Sequence, residues 1–384
     1  MSTLKTTNLQ HASAASPAIV LASDGTATAQ LSSLNGGALS GARNRIINGD
    51  MRIDQRNAGA SITGNDYTFP VDRWFISTSQ SSKLTAQQNA GSVTPPAGHT
   101  HYLGLTSSSA YSVTAGDYFL LTQIIEGLNA ADLDWGLSSA VSITLSFWIR
   151  SSLTGTFGGS IRNSADNRSY PFSYTITSAN TWEKKTISIS GDTAGTWLKT
   201  NGVGIKVTFG LGVGSTNSNT AGAWIGSTAF SATGATSVVG TNGATFYITG
   251  VQLEAGSVAT PFERRSYGQE LALCQRYCLV DTNESTPYRW FASGFTKSTT
   301  LADFGRQFPV TMRTAPSITV SGTWLVDGPT FGVTPTSVTD TGYASRSTGR
   351  ITATASSGYA SNNPVWLASD GTTNLRSITY SAEL

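Results

Sequence analysis

Apolar and polar residues alternate strictly from Val141 to Arg150. Val141, Ile143, Leu145, Phe147 and Ile149 occupy one face; Ser142, Thr144, Ser146, Trp148 and Arg150 occupy the other. A period of two over such a run predicts a strand with one face on a core. Ile187 and Ile189 repeat the pattern, as do Ile205, Val207, Phe209 and Leu211, and Phe246–Leu253 closes the block. Phe119–Ile125 is apolar on both faces except at Thr122 and Gln123, which predicts a central strand. Many short strands separated by Gly, Asn, Asp and Ser, with no helix between them, indicate an antiparallel sandwich or jelly roll over 45–265.

The pattern changes at 266–279. Ser266 followed three residues later by Gln269 is a capping-box start, and Tyr267, Leu271, Cys274 and Cys278 are spaced 4, 3 and 4. That is heptad spacing, but too short to hold a helix alone. It predicts a short helical neck, packed on copies of itself in a trimer or on the sandwich. Residues 280–384 return to strand signals, with strands expected at Thr286–Phe295 and Ser317–Val326, and make a smaller C-terminal β domain. The expected fold is therefore all-β: a jelly-roll sandwich, a helical neck and a second β domain. Residues 1–44 have too few apolar groups for a core. Within them, Leu21–Leu31 reads as two short strands around the turn dipeptide Asp24-Gly25.

Composition narrows the function. Charged residues are 12% of the 384, against about 25% in an average chain, and the net charge is +2. No Lys/Arg run provides a nucleic-acid footprint. No apolar stretch reaches the ~18 residues of a membrane-spanning helix, and the N-terminus has no secretory-signal pattern. Nucleic acid and membrane insertion are not expected partners. The two cysteines, Cys274 and Cys278, do not make a disulfide scaffold and read as buried thiols.

Chemistry-bearing groups are sparse. His99 and His101 lack a third ligand. Asn48 and Asp50 on the first strand face Thr249, Gln252 and Glu254 on the last, positions at which jelly rolls can hold a calcium ion, but the last strand offers no Asp. No metal or cofactor is expected. Asp132 and Asp134 form a close carboxylate pair, the minimum for glycoside hydrolysis, but they sit in turn-like sequence, and there is no nucleophile elbow or phosphate loop. The expectation is a protein that is not an enzyme.

Binding is what remains. Trp148 and Arg150 share the face opposite the core stripe, where a ring can stack on a sugar and a guanidinium can donate to its oxygens; the competing reading has Trp148 covered by a second layer or a subunit. Trp290, Trp324, Tyr343, Arg346 and Trp366 give the last domain a similar recognition-type composition.

Several stretches carry a resemblance. Arg43–Arg56 (RNRIINGDMRIDQR), Val71-Asp72-Arg73-Trp74, Phe246–Gly256, Thr260-Pro261-Phe262-Glu263 and Tyr267–Tyr277 resemble jelly-roll modules of bacteriophage tail fibres and related prophage proteins. Met1–His11 is similar to tail-fibre starts, and Phe308–Arg313 to a phrase of fibre tips. The resemblance implies a non-enzymatic virion protein, made in the host cytoplasm. It implies a homotrimer joined to the tail or baseplate through 1–44, with a jelly roll similar to carbohydrate-binding modules. The expected ligand is a host-surface polysaccharide. A polysaccharide depolymerase and a purely structural tail connector are the alternatives.

Overall fold

The computed structural model describes residues 43–384, residue 23, and three short strands before them, Asn8–Leu9, Ile19–Leu21 and Ala27–Ala29. Ile19–Leu21 and Ala27–Ala29 pair antiparallel and flank Asp24-Gly25. The remaining readings on 1–42 lie outside the described residues.

A jelly-roll sandwich follows, built of two six-stranded sheets. One runs in the order Glu183–Ile189, Ile143–Ser151, Thr245–Ala255, Leu103–Ser107, Leu84–Gln88, Ile62–Thr63. The other runs Ser169–Ile176, Gly155–Arg162, Val203–Val213, Tyr118–Glu126, Trp74–Thr78, Thr68–Val71. The alternation decides which side is core: Ile143, Leu145, Phe147 and Ile149 are fully buried between the sheets with Phe209, Phe246 and Trp74. Tyr118–Glu126 lies inside its sheet, between Val203–Val213 and Trp74–Thr78, and every residue from Phe119 to Glu126 is buried, so both its faces are covered.

The helix is Tyr267–Gln275, opened by the full capping box of Ser266 and Gln269. It ends earlier than the spacing suggested. Cys278 begins the strand Cys278–Thr282 and pairs with Ser381. The stripe also faces inward. Cys274 is fully buried against Ile47, Ile53 and Tyr277, Leu271 packs at the margin of that cluster, and Tyr267 is 57% exposed. Burial pushes both thiols well above the ordinary range. The four residues therefore do not present one stripe to copies of the chain: this nine-residue helix gains its stability from the chain's own sandwich.

The last part is a second sandwich. A three-stranded sheet orders Cys278–Thr282, Ser377–Ser381, Ser317–Ser321. A seven-stranded sheet orders Phe331–Val333, Trp324–Gly328, Pro364–Ser369, Trp290–Thr296, Leu301–Gln307, Thr348–Thr354, Ser337–Asp340. The single strand expected at Ser317–Val326 is two, one in each sheet. Gly322, at φ +97°, makes the break, a conformation open to glycine and costly for other residues. The strand read as Thr286–Phe295 begins only at Trp290.

A polar seam joins the two sandwiches. The Arg73 guanidinium lies 3.6 Å over the Tyr277 ring, pairs with Glu383 and donates to the Ile124 carbonyl at 2.6 Å. Arg56 pairs with the same Glu383 at 2.9 Å. Arg276 and the Tyr277 hydroxyl both donate to Glu126 at 2.6 Å. Asn44 side-chain atoms bridge Val251 and Leu253 of the closing strand, and Asn48 ties Ile53 to Asp72. Asn44, Asn48, Arg56, Arg73, Arg276 and Tyr277 are thus structural clamps.

Candidate functional site

The seven-stranded sheet brings three of the proposed residues to one outward face. Its cross-strand register aligns Asp327, Trp366, Ser293, Gly305 and Arg350 in one row. A parallel row holds Pro364, Phe295, Asp303 and Thr352. On its two adjacent inner strands, Trp290 stacks on Trp366 with centroids 4.6 Å apart and planes 13° from parallel. Trp290 is 56% exposed and Phe295 53%. Gly305 has nothing within 4 Å of where a side chain would start, so the floor between the Trp pair and Arg350 is open. Beyond it, Arg350 reaches over Tyr343, which is 74% exposed, at 5.3 Å.

The polar side of this trough is held in place. Asp303 accepts from the Thr352 hydroxyl at 2.7 Å and from Arg350 at 2.5 Å, with Lys297 at 3.1 Å. Burial opposes its charge, but these partners win and hold the carboxyl below its ordinary range. The result is an indole platform beside fixed donors and acceptors, which matches the apolar face and hydroxyl edge of a sugar ring.

Trp324 and Arg346 are not part of it. Trp324 is 3% exposed and packs edge-on against Phe291 in the core at 4.7 Å, because its strand turns it inward. Arg346 donates to the Met312 carbonyl at 3.0 Å, a structural bond away from the Trp pair. Phe295, Gly305, Asp303 and Arg350 escaped the sequence reading. Alternation in Thr348–Thr354 and Leu301–Gln307 was their available signal, but it does not say which rows meet.

Trp148 and Arg150 share the outer face of the first sandwich but not one site. Arg150 leans over Tyr247 at 5.4 Å and donates to the Asn180 carbonyl at 3.0 Å. Trp148 lines a separate cleft of about 220 Å³ with His99, Lys184, Phe262 and Arg264. Gly250, at φ +62° beside a bulge in the Trp148 pairing, lets His99 approach: a side chain there would meet the imidazole at 2.7 Å and Trp148 at 3.2 Å. Burial, then Arg264 and Lys184, push the imidazole down to about 4, so it is neutral at pH 7.

A wider cleft of about 790 Å³ lies between the sandwiches along the helix. Three of its arginines are already committed: Arg45 to Asp132 at 2.6 Å, Arg265 to Glu270 at 3.3 Å and Arg276 to Glu126.

Asp132 and Asp134 answer separate cations, Arg45 and Lys199, rather than converging. Glu254 is occupied by Gln252 and Thr260, and Asp50 by Arg52. Among the described residues no three His, Cys, Asp or Glu side chains group as a metal site, and no helix is long and apolar enough to cross a membrane.

Fold and face together define an all-β chain: a jelly-roll sandwich, one short helix and a second β sandwich that carries an exposed aromatic face. No protein-family model matches the sequence, and no curated protein matches it. Among solved structures, the chain is similar to the enzymatically active domain of tailspike protein 4 of bacteriophage CBA120, at 15% identity and TM-score 0.31 over 56% of this chain. It spans 21% of that tailspike chain. It is also similar to a CBM4 module (15% identity, TM-score 0.29, 54% of this chain and 97% of that one). A third is TmCBM61 in complex with β-1,4-galactotriose (12% identity, TM-score 0.26, 50% of this chain and 99% of that one).

Proposed function

We propose that this chain is a non-enzymatic bacteriophage tail-fibre subunit that attaches the virion to a host-surface polysaccharide. The observation that carries the reading is the stacked pair of exposed Trp290 and partly exposed Trp366 beside the bonded Asp303 and Arg350. Trp290 is more than half exposed and the Trp366 ring stacked on it is partly exposed, so the pair leaves apolar surface in water that a chain normally covers. A pyranose face covers it without displacing any bond of the fold. The stretches resembling tail-fibre modules support the virion role. In this reading residues 1–44 join the tail or baseplate, and three copies assemble, so that weak individual sites act together through effective concentration.

The test is a polysaccharide array probed with the full chain, with mass in solution measured alongside and reducing-end release assayed on every bound glycan. The expected result is binding by a trimer, loss of binding in Trp290→Ala/Trp366→Ala, and no new reducing ends. Reducing-end release by the purified chain would replace this reading with a depolymerase. Unchanged binding in the double variant would remove the platform from it.

A further inference from the structure

The cleft around Trp148 lies on the other sandwich and has a different chemistry from the Trp290 face. Its walls are the Trp148 indole and the Phe262 ring, which meets His99 edge-on at 5.2 Å. Lys184 stands directly across from Trp148 in the strand register, and Arg264 closes the opposite side over Phe262 at 5.7 Å. No carboxylate lines the cleft. Among the described residues neither Lys184 nor Arg264 has an ion-pair partner, although most arginines of this chain do. The His99 Nδ1 atom is buried and has no hydrogen-bond partner. Two cations without ion-pair partners beside an aromatic wall, with no carboxylate in the lining, describe a site suited to an anion.

We propose that this cleft binds one acidic sugar residue, with its ring against Trp148 and its carboxylate between Lys184 and Arg264. The volume of about 220 Å³ lies below the ~300 Å³ at which pockets for larger ligands begin, so a single terminal or branch residue fits and a chain does not. The neutral imidazole supplies a further hydrogen bond to a ring hydroxyl. This extends the glycan-binding reading to a second site and a charged sugar, and it stands on residues that the first site does not use.

The experiment is calorimetric titration of the full chain in the Trp290→Ala/Trp366→Ala background, which silences the other site. The probes are methyl glucuronide, methyl glucoside and inorganic sulfate at pH 7. The glucuronide is expected to bind about tenfold or more tighter than the glucoside, as a charge-assisted pair predicts, and to weaken with salt. Lys184→Met and Arg264→Met should each erase most of that preference, and Trp148→Ala should abolish binding, with Trp148→Phe partly restoring it. Equal affinity for glucuronide and glucoside, or no glucuronide binding by the folded chain, overturns the proposal. Sulfate binding as tight as glucuronide and untouched by Trp148→Ala would reduce the cleft to an inorganic-anion site and overturn it as well. Failure here with array binding intact leaves the Trp290 platform standing.

Discussion

Trp290 and Trp366 stack at 4.6 Å from neighbouring strands of one sheet, with Trp290 more than half exposed to solvent. Each ring covers part of the other, and their common outer surface stays uncovered. Replacing either by Ala should weaken glycan binding about tenfold, ~1.4 kcal/mol, a typical worth for an aromatic contact. The melting temperature should move little, since the pair covers no core. Array binding and thermal unfolding of the same samples check both halves.

Trp324 supplies the contrast. It lies in the core against Phe291, so Trp324→Ala should cost about 3–5 kcal/mol of stability by leaving a cavity. Urea unfolding should show this, while the affinity of the remaining folded protein stays unchanged.

Glu383 is the anion shared by Arg56 and Arg73, and its side chain is 4% exposed. Glu383→Gln leaves Arg73, itself 2% exposed, without its buried partner and should cost about 3 kcal/mol. Adding Arg73→Met should recover part of that loss, because the uncompensated cation is then gone. A double-mutant cycle in urea measures the coupling directly.

Asp72 gives the seam a pH dependence. Burial is the largest influence and raises its carboxyl to about 6, against the lowering effect of Arg56 and Gln55, with Glu383 adding to the rise. The folded value lies above the unfolded one near 3.8, so the folded state binds more protons between them. The contribution of Asp72 is therefore full below about pH 4 and is lost as pH rises through 6. The stability difference between wild type and Asp72→Asn should shift against wild type by about 2 kcal/mol from pH 4 to pH 7. Urea unfolding of both proteins at the two pH values tests the sign, and a flat difference would contradict it.

The sequence by itself determined a good deal. The alternation from Val141 to Arg150 named the buried face correctly, because a side chain's side of a strand follows from the count of residues alone. Ser266 and Gln269 placed the helix start, because a capping box is local chemistry complete within four residues. Alternation assigns a residue to one of two faces without saying what covers each. That is why Trp324 and Trp366, alike in composition and setting, ended on opposite sides of one sheet. Heptad spacing likewise promised a stripe at Tyr267, Leu271, Cys274 and Cys278 without saying whether another chain or Ile47 and Ile53 would meet it. The trough at Gly305 and the cleft at Trp148 depend on pairings far apart in sequence, Ser293 with Trp366, Gly305 with Arg350 and Trp148 with Thr249. Long-range pairing sets such registers, and only the tertiary structure decided them.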